Sequence, residues 1–228
     1  MRRTVSVLLA PLLFLCFSLH SLAAVPIIYS HATGASKPRV ALTFDDGPHP
    51  RYTREILEIL AQYGVCATFF AVGENAEYYP DLIRAEVEAG HEIGNHTYRH
   101  KRPSEQTQEE LLRDVTACSK VLAEITQSPV RLFRPPEGVC SDAVKCICLE
   151  NKLSIVLWSI DTRDWAHTEP SAMCANVRTN VRDGSIILMH DFIGKNSPTP
   201  AALRQIIPML LELGYELVTV SQLLEGAE

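Results

Sequence analysis

Asp45 and Asp46 stand side by side after the apolar run Val40 to Phe44, in Thr43-Phe44-Asp45-Asp46-Gly47-Pro48-His49-Pro50. Adjacent carboxylates closing a buried-type strand are poorly explained as solvated surface. Neighbouring side chains in extended chain point to opposite faces, so distinct tasks are expected rather than joint chelation. Asp-Gly is also a turn signal, which is the plain alternative. A second cluster is Asn95-His96-Thr97-Tyr98-Arg99-His100. Histidines four apart share one side of a helical turn, the spacing that zinc hydrolases use. The glutamate of H-E-x-x-H is missing, because Thr97 follows His96. A general base must then come from elsewhere, and Asp45 or Asp46 is the available supplier. Two imidazoles and one carboxylate leave coordination positions open for water and substrate.

Three further clusters follow. In Phe133-Arg134-Pro135-Pro136-Glu137-Gly138 the arginine is a fixed cation suited to orienting a carboxylate, and two prolines stiffen the loop. Asp161-Thr162-Arg163-Asp164-Trp165 and Leu188-Met189-His190-Asp191 close two more apolar runs. A histidine beside a strand is ordinarily a satisfied core residue. His190 sits instead where a barrel places its chemistry, and Asp164 as its partner would raise the imidazole pKa and favour a general acid. His31, His49, His91 and His167 have no usable partner spacing.

These groups need a scaffold that brings them together. Strands are expected at Val40 to Phe44, Thr68 to Val72, Glu92 to Gly94, Leu132 to Phe133, Ile155 to Ile160, Ser185 to Met189 and Glu216 to Val220. Helical patterns fill the intervals. One ends at Tyr63 with Gly64 as its stop, and a second stretch leads to Gly90. A third opens on the capping box Thr107 and Glu110. Others cover Ser141 to Asn151 and Ser171 to Arg182, and a last one is capped by Thr199 with Pro200 in its first turn, ending at Gly214. This alternation predicts an α/β fold with a parallel sheet and helices outside. About seven units in a single domain point to a distorted (β/α)7-type barrel, irregular and slightly short. No Gly-x-Gly-x-x-Gly follows the first strand, which argues against a dinucleotide site. Barrel chemistry gathers at the C-terminal ends of strands, and the clusters sit there.

The 228 residues are 46% apolar and 21% charged, which excludes disordered and collagen-like sequence. A net charge of −6 disfavours a nucleic-acid surface. Arg2 and Arg3 precede an uncharged stretch, Val5 to Leu19 is almost wholly apolar, and Ser21-Leu22-Ala23-Ala24 offers small residues for cleavage. That is the layout of a secretory signal peptide over 1–23. An uncleaved anchor is the competing reading, since the apolar run is long. Residues 24–38 are then a linker and 39–224 the catalytic domain. Cleavage removes Arg2, Arg3 and Cys16 and no acid, taking the net charge from −6 to −8 and the cysteines from seven to six. An even count in an oxidising compartment permits disulfides. However, Cys118 lies on the helix stripe Leu111, Val115, Cys118, Leu122, Ile125, and Cys140, Cys146 and Cys148 lack a usual zinc spacing. Buried free thiols are the plainer expectation for most of them, with Cys140 to Cys174 the pairing left open.

In this order the clusters resemble the polysaccharide deacetylase family, the NodB-homology domain of carbohydrate esterases, over about Arg39 to Leu224. The resemblance implies a distorted βα barrel that removes acetyl groups from polysaccharides with zinc or another divalent metal such as cobalt. It implies Asp45 as the base, and Asp46, His96 and His100 as metal ligands. Arg134 would hold the base, Asp164 would tune the acid His190, Trp165 would line the groove and Leu188 would wall the acetyl methyl. Glu137 departs from the family's common Arg-Pro-Pro-Tyr-Gly. Its backbone N–H can still serve an oxyanion, while its side chain removes a stacking surface and adds a negative charge. Export implies a substrate outside the membrane. Peptidoglycan N-acetylglucosamine comes first, then N-acetylmuramic acid or chitin oligomers, with polysaccharide O-acetyl esters as a further alternative. A secreted, cell-wall-associated monomer is expected, with no nucleic-acid partner and no membrane contact beyond an uncleaved signal. A glycosidase would instead use two carboxylates, Asp45 and Asp164. Two histidines and an aspartate also fit a non-haem iron site, against which the βα alternation argues. A non-catalytic wall-binding domain would not need ligands, base and acid together.

Overall fold

The computed structural model describes residues 25–225; the signal expected over 1–23 lies outside them. The strands are β1 (Ile27–Ile28), β2 (Arg39–Asp45), β3 (Thr68–Ala71), β4 (Glu92–Asn95), β5 (Leu132–Phe133), β6 (Ser154–Val156), β7 (Ile160–Asp161), β8 (Ser185–His190) and β9 (Glu216–Val218). The helices are α1 (Tyr52–Tyr63), α2 (Gly73–Tyr78), α3 (Pro80–Glu88), α4 (Gln108–Thr126), α5 (Asp142–Glu150), α6 (Pro170–Asn180), α7 (Thr199–Glu212) and α8 (Val220–Leu224). The sheet runs β1-β6-β5-β4-β3-β2-β8-β7, with β9 beside the start of β2. Its ladders are all parallel, so the strand C-termini share one rim, as the alternation predicts.

β2 sits near the centre and is covered on both faces, which is why it reads as a continuous apolar run. Val40, Leu42 and Phe44 pack into the main core with Ile56, Ile59 and Leu60 of α1 and Leu203, Ile206 and Leu210 of α7. Ala41, between them, faces a second core with Phe70, Val156 and Ile186. Gly64 closes α1 in the left-handed region at φ 62, a conformation that glycine adopts without steric cost. The Thr107–Glu110 capping box opens α4 as expected, and Leu111, Val115, Cys118 and Leu122 are its buried stripe.

Several elements depart from expectation. Ile155 to Ile160 is two strands: β6 pairs with β5 and β1, whereas β7 pairs with β8. The chain crosses between the two ends of the sheet at Leu157–Ser159, and the Ser159 N–H reaches Ile186 O at 3.0 Å. One straight strand cannot ladder with both, so the curl breaks it. The expected linker is partly sheet, since Ile27 and Ile28 pair with Ile155 and Val156. The helical stretch before Gly90 divides at Tyr79, because Pro80 has no N–H to continue a ladder. Thr199 is the first residue of α7 and not its cap, a position held by Pro198. Thr219 caps α8 and shortens the last strand.

All six cysteines among the described residues are free thiols. Only Cys118 and Cys148 are buried; Cys146 is exposed and the other three are half-buried. Burial pushes the Cys148 thiol up to about 12. Among the described residues no helix is long and apolar enough to cross a membrane.

Candidate active site

Asp45 ends β2 and is buried. Arg134, just past β5, is wholly buried beside it. Arg134 Nη1 donates to Asp45 Oδ1 at 2.7 Å and to Thr43 Oγ1 at 2.8 Å. Its Nε donates to Val156 O at 3.1 Å and its Nη2 to Leu157 O at 2.9 Å. These carbonyls lie where β6 ends, so one guanidinium satisfies both the strand break and the carboxylate. Its Cζ lies 4.1 Å from the centre of the Phe70 ring and 5.6 Å from that of Trp158. With Oδ1 of Asp45 taken, Oδ2 lies 3.8 Å from His96 Nε2.

Asp46 adopts φ 78, and this left-handed turn redirects its carboxylate into the same pocket as Asp45. Strict strand alternation would have separated the two. Asp46 Oδ1 lies 3.1 Å from His100 Nε2 and 3.3 Å from His96 Nε2. The histidines converge without the helical turn that their spacing suggests. Thr97 and His100 are left-handed at φ 66 and 52, and Asn95 Oδ1 accepts from the Thr97 N–H at 2.8 Å. His96 Nδ1 lies 2.7 Å from the Arg134 carbonyl, which can only accept. Nδ1 therefore donates to that carbonyl, and Nε2 is the ring atom that faces Asp46.

One ligand atom each from Asp46, His96 and His100 lie within 4.8 Å of one another. Asp46 Oδ1 is buried yet has no hydrogen-bond partner. An orphaned carboxylate oxygen facing imidazole nitrogens is a donor set that fits a divalent cation. Burial raises the Asp46 carboxyl, but the two imidazoles outweigh it and hold the pKa well below the usual range. Burial also opposes charge on His100, whose pKa is nevertheless raised by Asp46 and Asp45.

On the opposite wall His190 Nδ1 lies 2.8 Å from Asp164 Oδ1. Asp164 also accepts from the His190 N–H at 2.6 Å, the Trp165 N–H at 2.9 Å and Thr199 Oγ1 at 2.7 Å. Burial works against the imidazolium, and the Asp164 hydrogen bond and charge, with Asp45 and Asp46, overcome it and push the pKa up to about 9. Asp164 is wholly buried with both oxygens committed, so it cannot serve as the proton donor of a glycosidase pair.

Asp45, Asp46, His96, His100, Glu137, Trp165, Leu188 and His190 line one pocket of about 460 Å³. Arg134 and Asp164 stand behind it. Trp158 and Asp161 also line it, and neither carries a role in the sequence argument. Glu137 takes φ 56, and its Oε1 accepts from Arg102 Nε at 2.7 Å, so the departing side chain is tied to the next loop. Trp165 is half exposed at the mouth. Thr43 and Thr199, which fix Arg134 and Asp164, were not foreseen; their partners are far away in sequence.

A parallel β/α barrel with this convergence of carboxylates and imidazoles at its strand ends is the architecture of a hydrolase. Residues 32–155 match the family model described as polysaccharide deacetylase. A peptidoglycan-N-acetylglucosamine deacetylase of Bacillus cereus is 42% identical over 81% of this chain and 87% of its own. A chitooligosaccharide deacetylase of Sinorhizobium fredii is 37% identical over 83% of this chain and 94% of its own. The crystal structure of a CE4 family pseudoenzyme from Bacillus anthracis superposes with a TM-score of 0.81 at 30% identity, covering 88% of this chain and 69% of that one. The chain belongs to the polysaccharide deacetylase family, the hydrolases that remove acetyl groups from polysaccharides.

Proposed function

We propose that the protein removes N-acetyl groups from an extracellular N-acetylated polysaccharide in a metal-dependent reaction, with peptidoglycan N-acetylglucosamine as the substrate. The observation that carries this is a single pocket holding a metal-ligand set, a guanidinium-held carboxylate and a carboxylate-held imidazole. The Bacillus cereus relative supports the polymer, and the signal-like N-terminus supports export. The Sinorhizobium fredii relative favours chitin oligomers as the second reading.

Asp46, His96 and His100 would hold the cation. Zinc, the expected metal, would polarise the acetamide carbonyl and acidify a water. Asp45, oriented by Arg134, takes the water's proton on Oδ2. The Glu137 N–H is assigned to the oxyanion of the tetrahedral intermediate. Leu188 walls the acetyl methyl. His190 gives its proton to the departing sugar nitrogen, leaving acetate and a free amino sugar.

The acid assignment carries a signed pH dependence. His190 must be protonated to donate, so kcat/KM falls as pH rises through its pKa. Asp164 holds that pKa above the ordinary histidine value, against burial. Asp164→Asn should therefore move the alkaline limb of kcat/KM to lower pH, by ~1–3 units. An unmoved limb would remove His190 from the role.

The test of the whole reading is acetate release from purified peptidoglycan and from chitin oligomers, with and without chelator and added zinc. Zinc-restored release from peptidoglycan is the expected result. Release from chitin oligomers alone would move the substrate to the second reading. Release that survives chelation would overturn the metal. His96→Ala should lose bound zinc, as metal analysis of the purified variant would show.

A further inference from the structure

Asp191 follows His190 in sequence but does not line the pocket. It is 1% exposed and lies under the turn that carries Asp46. Its N–H donates to Asp45 O at 3.1 Å. Its Oδ2 accepts from the Thr53 hydroxyl on α1, and that hydroxyl accepts from the His49 N–H at 2.7 Å. Burial pushes the Asp191 carboxyl up to about 7, against the hydrogen bonds from Thr53 and the Gly47 N–H. Gly47 packs so close that a Cβ there would lie 1.9 Å from Asp191 Oδ2. The turn is thus fastened on both flanks to one buried side chain, directly at Gly47 and through Thr53 at His49. Its carbonyls are taken elsewhere: Asp46 O by Asn75 Nδ2 at 2.8 Å and Gly47 O by the Val72 N–H at 2.9 Å.

This anchoring matters because Asp46 is a non-glycine residue in the left-handed region, a conformation that persists only where its surroundings enforce it. Glu86 of α3 is a further wholly buried acid near Asp191. Burial, and after it the Asp191 charge, raise its carboxyl well above the usual range.

We propose that Asp191 is a positioning residue: through Gly47 and the Thr53 relay it fixes the strained turn that aims Asp46 at His96 and His100, and so sets the affinity of the site for its metal. The proposal rests on the assignment of Asp46, His96 and His100 as ligands. Outer partners of metal ligands typically govern affinity or activity by ~10–100-fold.

Two substitutions at Thr53 separate positioning from packing. Thr53→Val keeps the volume and loses the hydroxyl; Thr53→Ser keeps the hydroxyl and loses the methyl. Zinc affinity would be measured on the purified protein by competition with a chromophoric chelator, alongside kcat and KM for acetate release. Thr53→Val should weaken zinc ~10–100-fold, lower kcat at limiting zinc with KM little changed, and recover turnover in excess zinc. Thr53→Ser should keep zinc affinity near that of the parent. Asp191→Ala should act in the same direction as Thr53→Val and more strongly. Wild-type zinc affinity in Thr53→Val overturns the proposal, as does equal damage by Thr53→Ser. Asp46→Asn measured in parallel distinguishes the two levels. If it binds zinc like the parent, the ligand assignment itself falls. If it loses zinc while Thr53→Val does not, only the role of Asp191 falls.

Discussion

Asp45→Asn should lower kcat for acetate release by ~10²–10⁴-fold, the usual contribution of a general base, while zinc content and fold remain those of the parent. The substitution is close to isosteric. An asparagine oxygen can still accept from Arg134 Nη1, which lies 2.7 Å from Asp45 Oδ1, so the local geometry is preserved. What disappears is the basic oxygen that faces the pocket. The proposed ligands are separate: Asp46, His96 and His100 meet one another without Asp45. Loss of turnover with metal retained therefore isolates proton abstraction from metal binding. The control is Asp46→Asn, which should lose both. Unchanged acetate release by Asp45→Asn would sink the base assignment, and loss of zinc in that variant would show that Asp45 also ligates.

The contrast between these neighbouring aspartates shows what local sequence conveys. The apolar run before them and the Asp-Gly turn after them were legible, because strand burial and turn chemistry are properties of a few adjacent residues. The redirection of Asp46 into the pocket was not, since it depends on a φ of 78 that strand alternation does not foretell. The histidine pair was found by spacing although its backbone is a loop; left-handed residues and the Asn95 side chain do what a helical turn was expected to do. The run Ile155 to Ile160 looked like one strand because hydrophobic periodicity reports burial and is silent on which neighbour a strand pairs with. The side-chain roles of Thr43, Thr53, Thr199 and Asp191 were not legible, as each acts through a partner 35 or more residues away. The pseudoenzyme with the same fold adds a constraint: the barrel alone does not confer turnover. The proposed turnover is assigned to particular side chains in the pocket, and variants at those positions are the decisive tests.

Arg134→Met is expected to have the largest effect on stability. The methionine fills much of the same space, so the loss is polar and not steric. Arg134 is wholly buried and serves Asp45, Thr43 and the carbonyls of Val156 and Leu157. Removing it leaves the Asp45 carboxylate buried without its cation and strips donors from the carbonyls at the break between β6 and β7. Breaking a buried pair from one side costs ~3–5 kcal/mol. For a domain of this size each kcal/mol moves Tm by ~2–4 °C, so a fall of roughly 6–20 °C is expected in a thermal melt. Lysine should not rescue it, because a single ammonium cannot present the planar fork that reaches four acceptors, two on β2 and two at the end of β6. Asp45→Asn combined with Arg134→Met removes the uncompensated charge as well. The double variant should therefore be more stable than the sum of the single losses predicts. Its turnover should stay as low as that of Asp45→Asn alone, since stability returns without a base. Additive stability losses would mean that the two side chains act independently, and the ion pair would then not be what holds the base in place.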